Sequence, residues 1–438
     1  MASFAGLKVG IARKVITPQL PMWMTGYAAR EKPANGILHD IWAKAMVLEA
    51  SPSSKIIIVT TDLLGLSHEV VEGVTGQIVK KYGITRAQLL LNASHTHSGP
   101  MVWPNLGGIA DYTPEQQQIV SKYSQKLTQD IVAVIEDAMS NLEPALVYSG
   151  HTSADFAINR RLPTPKGVII SVNKDGPVDH DVPVLKVAAL DGTLRAVLFG
   201  YACHNTTIQG DNYKINGDYA GFAQLELEKE NPGVTAMFLM GCAGDQNPAP
   251  RGTIALAEEH GKALAGVVQK ALSGKLAPVN GPIRSDYKVT NLDFKPVKLE
   301  DYQRDIIGTN VFLQRRAKLM LEAYSKSWNV GHFPYIVQAV RFGKDLTIVA
   351  LSGEVVVDYS LNTKKAYAKE NIFMAGYCND VTCYIPTKRI LAEGGYEAED
   401  NLIYYSMPGP FADNIEDKIS AAIHQVMLNI GVKPSKKL

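Results

Sequence analysis

The sequence predicts an α/β fold in which mixed β-sheet layers are covered by helices. Runs rich in β-branched and aliphatic residues, such as residues 55–61 and 234–240, are typical of buried strands. Segments with helical spacing of apolar residues and recognisable caps lie between these runs. Strands and helices alternate along the whole chain, which indicates a sheet packed against helices, but the alternation does not require an all-parallel sheet.

The composition is that of a globular protein with a large core. The chain has 438 residues, of which 46% are hydrophobic and 20% are charged, and its formal net charge is +1. Such a balance, without a long basic block, argues against nucleic acid or an anionic membrane as a partner. No apolar run approaches the roughly 20 residues of a membrane-spanning helix. The N-terminus lacks the apolar core of a signal peptide, while the compartment and the oligomeric state stay open.

The pattern is not interrupted by an internal repeat, a low-complexity segment or a linker. Residues 1–438 are therefore expected to form one domain. The four cysteines do not form the paired motifs of a zinc knuckle, and we expect them to be buried thiols. They are Cys203, Cys242, Cys378 and Cys383.

Two helices have clear start signals. Ser67 is the expected N-cap of a helix that ends at Gly83, and Thr113 with Pro114 and Gln116 forms a capping box before a longer helix. Residues 299–328 are predicted to be helical, either as an inserted hairpin or lid or as a surface helix packed on the core, and further helices are predicted over 254–272, 355–369 and 412–429. Residues 152–180 and 378–400 carry no periodic pattern and are expected to be irregular.

Candidate metal ligands follow several predicted strands. His95 and His97 come directly after the apolar run 88–91, at a strand end where α/β proteins place their chemistry. His204 and Glu354 follow two other strands, and histidine with carboxylate is the usual ligand set of catalytic zinc. Taken singly, His204 could be an ordinary hydrogen-bonding histidine, and Glu354 could lie in the first turn of helix 355–369.

These motifs, in this order, resemble the N-terminal catalytic domain of the neutral/alkaline non-lysosomal ceramidases, which are zinc amidases. The His-Thr-His-Ser-Gly-Pro run is the most specific of them. The matching pieces are Met24–Tyr27, Thr61–Leu63, Ser94–Pro100, Ile158–Arg160, His204, Asn216–Ala220, Gly244–Asp245, Ser352–Glu354, Tyr384 and Tyr396–Glu397. They extend from the first strand to about residue 400, as expected of a distant relative.

The resemblance implies a Zn²⁺ site and a set of roles. Its metal ligands would be His95, His204, Glu354 and Tyr384. His97 would stay beside the metal, either as a general acid or base or to bind the oxyanion, while Arg160 and Tyr396 would contact the substrate carbonyl and the developing oxyanion. Without the resemblance, Arg160 would be interpreted as a surface charge and Tyr396 as a packed aromatic.

The chain departs from the family pattern at two points. Asn247 stands where the family has a serine before proline, and an asparagine amide cannot be a nucleophile, so attack by a zinc-bound water is favoured over covalent catalysis. The chain also stops without the immunoglobulin-like domain that follows the catalytic domain in full-length members. Ceramide itself is therefore not the expected substrate.

The resulting hypothesis is a zinc-dependent hydrolase of an amide (N-acyl) bond in a small-molecule substrate. The loops 22–30, 100–112, 155–180 and 378–400 would form the pocket, with Trp23, Tyr27 and Trp103 as candidate lining residues and His180 as a candidate support. A zinc hydrolase of an ester, lactone or sugar-linked acyl group remains an alternative. A binding protein that keeps the fold without turnover is another.

Overall fold

The computed structural model describes residues 6–104, 106 and 108–435. It confirms the α/β class. The strands are β1 Leu7–Val15, β2 Gly36–Ile37, β3 Trp42–Ser51, β4 Ser54–Thr61, β5 Leu89–Ala93, β6 Glu143–Ser153, β7 Ala157–Thr164, β8 Gly167–Asn173, β9 Asp181–Ala188, β10 Leu194–Tyr201, β11 Lys214–Ile215, β12 Thr235–Met240, β13 Gln246–Pro248, β14 Ala277–Pro278, β15 Ile283–Asp293, β16 His332–Phe342, β17 Leu346–Leu351, β18 Glu354–Val355, β19 Ile372–Ala375 and β20 Tyr384–Ile385.

The helices alternate with these strands along the chain. They are α1 His68–Tyr82, α2 Pro114–Ser140, α3 Asp218–Glu230, α4 Ile254–Ser273, α5 Leu299–Asp305, α6 Val311–Ser325, α7 Asp358–Ala366, α8 Lys388–Glu393 and α9 Ile415–Asn429. Among the described helices, none combines the length and the apolar character that crossing a bilayer requires.

Two sheets form the centre of the molecule. The larger has the strand order β12-β10-β9-β6-β1-β3-β4-β5, with β14 attached to β6, and the smaller has the order β15-β16-β17-β19. The larger sheet is mostly antiparallel, but its β4–β5 and β10–β12 pairs are parallel. In the smaller sheet β17 and β19 are parallel. The mixed sheet expected from the sequence is confirmed.

The hydrophobic clusters show four layers. Helices α1 to α4 pack on one face of the larger sheet, with Ile131 against Val59 and Leu264 in the cluster of Phe199. The opposite face packs against the smaller sheet, where Ile58 and Ile348 share a cluster. Helices α7 and α9 cover the remaining face. The order is therefore helix, sheet, sheet, helix, with two buried interior faces.

Helix caps were predicted well because their signals are local. The Ser67 side chain accepts a hydrogen bond from the Val70 amide, and Gly83 ends α1 with a left-handed φ of 62°. Thr113 and Gln116 form the predicted capping box of α2. The helical region predicted over 299–328 is also present and consists of two helices, α5 and α6.

Three predictions were wrong. Residues 152–180 are not irregular, since β7 and β8 pair there as an antiparallel hairpin. Residues 378–400 contain β20 and α8 rather than only loop. Helix α7 is shorter than the predicted 355–369, and Glu354 lies in β18, outside any helix. The dipole of helix α7 therefore does not account for Glu354.

All four cysteines are buried and unpaired, as expected.

Candidate metal centre

His95 is fixed by the backbone just beyond the end of β5. Its φ of 61° turns the chain sharply after the strand, and its amide donates to the carbonyl oxygen of Leu63 at 2.8 Å. The ring Nδ1 lies 2.7 Å from the carbonyl oxygen of Leu64. Because a carbonyl only accepts, Nδ1 carries the hydrogen and Nε2 is left with a free lone pair. The side chain is buried, so that lone pair faces the protein interior.

His204 has the same arrangement beyond the end of β10. Its Nδ1 lies 2.7 Å from the carbonyl oxygen of Ala243, so Nε2 again carries the lone pair. A parallel bridge between Thr96 and Asn205 holds the two histidine-bearing loops side by side. Burial, followed by the charge of Arg160, lowers the pKa of His204 to about 4, so its imidazole is neutral at pH 7.

Glu354 and Tyr384 face each other across a second backbone pair. They are register partners in the parallel β18–β20 ladder. The Oε2 atom of Glu354 lies 3.0 Å from Nε2 of His95 and 3.3 Å from Nε2 of His204. The Tyr384 hydroxyl lies 3.2 Å from the same His204 nitrogen. Two nitrogens, a carboxylate oxygen and a phenolic oxygen therefore converge on one point.

This donor set fits a zinc ion. Zinc–ligand distances of about 2.0–2.2 Å in a tetrahedron separate neighbouring donor atoms by roughly 3.3 Å, close to the spacings found here. Metal-bound histidines commonly donate their other ring N–H to a backbone carbonyl, as His95 and His204 do. Burial raises the pKa of Glu354, but the two imidazoles lower it more, to well below its ordinary value, so the carboxylate is ionised.

His97 is close to this point but is held differently. Its Nε2 lies 3.1 Å from Nε2 of His95, and the donor atoms of His95, His97 and His204 all lie within 4.8 Å of one another. Its Nδ1, however, is buried and has no hydrogen-bond partner in the described part of the chain. Burial, then the neighbouring imidazoles, lowers the pKa of His97 well below 6.5. A neutral imidazole with one unpaired nitrogen can take up a proton.

Arg160 enters the site from β7. Its Nε donates to Glu397 at 2.7 Å and its Nη1 donates to the side-chain oxygen of Asn247 at 3.3 Å. Its Nη2 is buried and unpartnered among the described residues. The guanidinium carbon lies 5.3 Å from the ring centre of Tyr384 and 5.8 Å from that of Tyr396. Arg160 therefore has one N–H group available to an additional acceptor at the metal centre.

A cavity of about 300 Å³ opens onto these side chains. The predicted residues His95, His97, Arg160, Tyr384 and Tyr396 all line it. Asn247 lines it as well, where its side-chain oxygen also accepts from the Thr206 hydroxyl at 3.4 Å. The other lining residues are Gly26, Tyr27, Ala28, Leu64, Leu106, Ile109, Ile170, Thr206, Gln209, Arg251, Tyr404 and Tyr405.

The structure places other predicted residues outside the cavity lining. Trp23 and Trp103 pack against the core beneath α1 and α2, whereas Tyr27 is a lining residue as predicted. The Nε2–H of His180 donates to the Ala157 carbonyl oxygen, 2.9 Å away, and His180 does not reach the donor set. The predicted loops contribute to the cavity, but the sequence did not indicate five further lining residues, which are Thr206, Gln209, Arg251, Tyr404 and Tyr405.

Two further residues at the site escaped sequence analysis. The hydroxyl of Tyr405 donates to Oε1 of Glu354, the carboxylate oxygen that does not face the histidines. Arg30 is buried, and its Nη1 donates to the carbonyl oxygens of Thr25 and His97 at 2.8 and 2.7 Å. Neither residue lies in a periodic pattern, and the only available signal was the nearness of Arg30 to the motif at 24–27.

Comparison with known proteins agrees with this architecture. Residues 7–296 match the model of the neutral/alkaline non-lysosomal ceramidase N-terminal region. A neutral ceramidase of Pseudomonas aeruginosa is 28% identical over 253 residues, which are 55% of this chain and 37% of the relative. Neutral ceramidase B of Dictyostelium discoideum is 26% identical over 248 residues, 52% of this chain and 33% of that protein. The matched region thus spans about a third of the relatives' length.

Solved structures show the same fold. The crystal structure of a neutral ceramidase from Pseudomonas aeruginosa superposes with a TM-score of 0.74 at 21% identity, over 100% of this chain and 76% of that one. A ceramidase complexed with C2 gives a TM-score of 0.75 at 19% identity, over 99% and 77% of the two chains. The sequence-family match includes His95, His97, Arg160 and His204 but ends before Glu354. The fold, in contrast, extends over the complete donor set.

Proposed function

The chain belongs to the neutral/alkaline non-lysosomal ceramidase family, and on that premise we propose that it is a zinc-dependent hydrolase of an amide (N-acyl) bond. The observation that carries the proposal is the convergence of His95 Nε2, His204 Nε2 and Glu354 Oε2 within 3.0–3.3 Å. Such a buried group of lone pairs and one negative charge is costly unless a cation compensates it. The site opens onto a cavity, which allows a substrate to reach it.

His95, His204, Glu354 and Tyr384 would hold the zinc ion. A zinc ion in such a site polarises a carbonyl and lowers the pKa of water towards about 7. The carbonyl contacts to the Nδ1 atoms of His95 and His204 fix the tautomer that donates through Nε2. The hydroxyl of Tyr405 fixes the carboxylate of Glu354 from its far side.

His97 would carry the proton. Its imidazole is neutral at pH 7 because burial and the neighbouring rings lower its pKa, so it can accept a proton from the attacking water and return one to the leaving amine. The carbonyl contact from Arg30 and the edge-to-face contact with Tyr27, at 5.0 Å between ring centres, hold His97 in place.

Arg160 and Tyr396 would stabilise the oxyanion that forms on the acyl carbon. The Nη2 atom of Arg160 is buried without a partner, and a preorganised donor of this kind is strongest in a site shielded from water. Tyr396 lies against the Tyr384 ring, 5.4 Å between centres. Glu397 neutralises part of the Arg160 charge and sets the orientation of the guanidinium.

Asn247 is proposed to position Arg160 and not to attack the substrate. Its side-chain oxygen accepts from both Arg160 and Thr206, and an amide is not a nucleophile. Residues 1–438 are proposed to act as one catalytic domain, because the donors come from both the first and the last third of the chain. A cavity of about 300 Å³ lies at the small end of ligand sites, which favours a substrate smaller than ceramide.

The test is hydrolysis of matched acyl compounds. Purified protein is loaded with Zn²⁺ and assayed on two octanoyl compounds, the amide of an amine and the ester of the corresponding alcohol. Both assays are repeated after chelation of the metal. We expect turnover of the amide that chelator abolishes and that added Zn²⁺ restores. Turnover of the ester alone would favour the alternative hydrolase, and binding without turnover of either would favour a non-catalytic protein.

A further inference from the structure

Arg251 is a cation of the cavity lining without a counter-ion. It follows β13 in the loop that leads to α4, is exposed to solvent, and lines the cavity. In the described part of the chain no carboxylate lies within salt-bridge distance of it, and no acceptor is hydrogen-bonded to it. This contrasts with Arg160 on the same cavity, whose charge is paired with Glu397 at 2.7 Å.

The loop that carries Arg251 is anchored on both sides of this residue. The Pro250 carbonyl oxygen lies 2.7 Å from Nε2 of His260 on α4. The Gly252 amide donates to the Thr207 carbonyl at 2.8 Å. Residues 206–210, in turn, are held by the hydroxyl of Tyr27, which donates to the Ile208 carbonyl at 2.9 Å. The backbone on both sides of this exposed cation is therefore held by hydrogen bonds.

The surroundings of Arg251 are not acidic. The described lining residues of the cavity include Arg160, Arg251 and two histidines but neither aspartate nor glutamate. Asp218 is the carboxylate that acts on the nearby Tyr27, and its two oxygens already accept the amides of Thr207, Ile208 and Tyr219. Arg30 adds a further positive charge, since among the described residues its hydrogen bonds are accepted by carbonyl oxygens, although the charge of Asp211 acts on it.

We propose that Arg251 binds an anionic group of the substrate, and that the preferred substrate class is an N-acyl compound whose amine part carries a carboxylate or sulfonate. A guanidinium forms two parallel hydrogen bonds with such a group, which a neutral amide or alcohol cannot reproduce. Thr206 and Gln209, from the segment that the Gly252 amide contacts, are polar residues of the same cavity lining. The apolar residues Leu106 and Ile109 line the part formed by the 100–112 loop, where an acyl chain would lie.

This inference rests on the proposed amide hydrolysis and names its substrate class. The test compares three compounds with the same scissile bond, which are N-octanoylglycine, N-octanoyltaurine and the neutral methylamide of N-octanoylglycine. Release of octanoate gives kcat/KM for the zinc-loaded wild-type protein, for Arg251→Gln and for Arg251→Lys. Arg304→Gln is the matched control, because Arg304 is an exposed arginine paired with Asp301 at 2.9 Å.

We expect the wild-type protein to prefer both anionic compounds to the methylamide by about tenfold or more. Arg251→Gln should remove that preference by lowering kcat/KM for the anionic compounds, with less than about a twofold change for the methylamide. Arg251→Lys should keep part of the preference, and Arg304→Gln should keep all of it. An equal loss on all three compounds in Arg251→Gln, or no preference in the wild-type protein, would overturn the proposal.

Titration calorimetry separates this inference from the proposed reaction. If none of the compounds is hydrolysed, the Kd of N-octanoylglycine and of its methylamide is measured with zinc-loaded wild-type protein and with Arg251→Gln. Weaker binding of the anionic compound alone in the variant would support the role of Arg251 although the proposed reaction had failed. Equal Kd values in the two proteins, or no binding of either compound, would overturn it.

Discussion

His95 and His97 present their Nε2 atoms to each other at 3.1 Å, but only His95 has its opposite ring nitrogen held by a carbonyl oxygen. The anchored nitrogen of His95 defines one tautomer and one ring orientation, which a metal ligand needs. The Nδ1 atom of His97 has no partner among the described residues, so the protonation state of this ring can change without breaking a hydrogen bond. Two histidines that are equivalent in the sequence therefore differ in the structure.

This difference predicts separate effects of two alanine variants. His95→Ala should lose bound zinc, whereas His97→Ala should retain about one zinc per chain and lose activity by roughly 10²–10⁴-fold. Metal analysis by mass spectrometry after dialysis, together with the amide assay, measures both. If His97→Ala released zinc as readily as His95→Ala, His97 would be a ligand and the assignment would be wrong.

We expect a substitution of Tyr405 to change the metal affinity, although Tyr405 is not one of the proposed ligands. Removing its hydroxyl in Tyr405→Phe leaves Oε1 of Glu354 without its donor, so we expect the zinc Kd to rise by about 10–100-fold. Competition with a chromophoric chelator measures this. Tyr404→Phe is the matched control, since Tyr404 lines the same cavity, and the two variants should differ clearly.

We expect a substitution of Glu397 to lower the free energy of unfolding as well as the activity. Glu397 is buried and pairs with Arg160 at 2.7 Å and Arg161 at 2.6 Å. Glu397→Gln would leave two buried guanidinium groups short of a counter-charge, which should lower the free energy of unfolding by about 3 kcal/mol. Urea denaturation compares the stability of this variant with that of Glu393→Gln. The wild-type Glu393 carboxylate is partly exposed and, of the buried arginines, contacts Arg161 alone. Comparable losses in both variants would contradict the expectation.

We expect a substitution of Arg315, on α6, to weaken substrate binding. The Nη1 atom of Arg315 donates to the carbonyl oxygens of Gly108 and Ile109 at 3.2 and 2.9 Å, and Ile109 lines the cavity. Arg315→Gln should loosen this part of the lining and raise KM roughly threefold or more, with less than about a twofold change in kcat. Arg304→Gln on α5 should leave both constants unchanged. A fall in kcat at constant KM would instead indicate that α6 acts on the chemical step.

We expect the buried carboxyl of Asp245 to make the free energy of unfolding depend on pH. Burial raises its pKa to about 6, although the Val357 amide that donates to it lowers the pKa in part. The pKa of Asp245 is therefore higher in the folded protein than in the unfolded chain. Its contribution to the free energy of unfolding is fully present below about pH 4 and is lost as the pH rises through about 6. The lost contribution is about 3 kcal/mol.

The comparison with Asp245→Asn isolates this group. Unfolding of metal-free protein by urea is measured between pH 4 and pH 7 for both proteins. The stability of the wild type relative to Asp245→Asn should fall as the pH rises over this range. A constant difference would show that Asp245 has an ordinary pKa.

Much of the fold was predictable because its signals are local. Ser67, Thr113 and Gln116 specify their helix starts through hydrogen bonds within three residues. The β7–β8 hairpin was missed because its pattern is not that of a half-buried strand. Most residues of β8 are exposed, and β7 carries buried Asn159, Arg160 and Arg161, whose polarity indicates a loop. Arg160 and Arg161 pair with Glu397, more than 200 residues away, and Asn159 donates to Asp245, contacts which no local pattern reveals.

The candidate site was predictable to the same extent. His95, His97, His204 and Glu354 each follow a strand, and the structure brings their side chains together as the sequence suggested. Tyr384 came from the family resemblance and not from chemistry. Tyr405, Arg30 and Arg251 were missed, because their places depend on contacts between distant parts of the chain or on the shape of the cavity and none lies in a motif.

The backbone pairs beside the candidate metal centre bear on when, during synthesis of the chain, the complete set of donor atoms is assembled. The Thr96–Asn205 bridge joins the two histidine loops, whereas the β18–β20 pair joins Glu354 to Tyr384. A nascent chain that has emerged only to residue 296 contains both histidines but neither oxygen donor. With the proposed ligand set, tight zinc binding would begin only after the last third of the chain has been translated and has docked, so that zinc uptake would report the completion of the site.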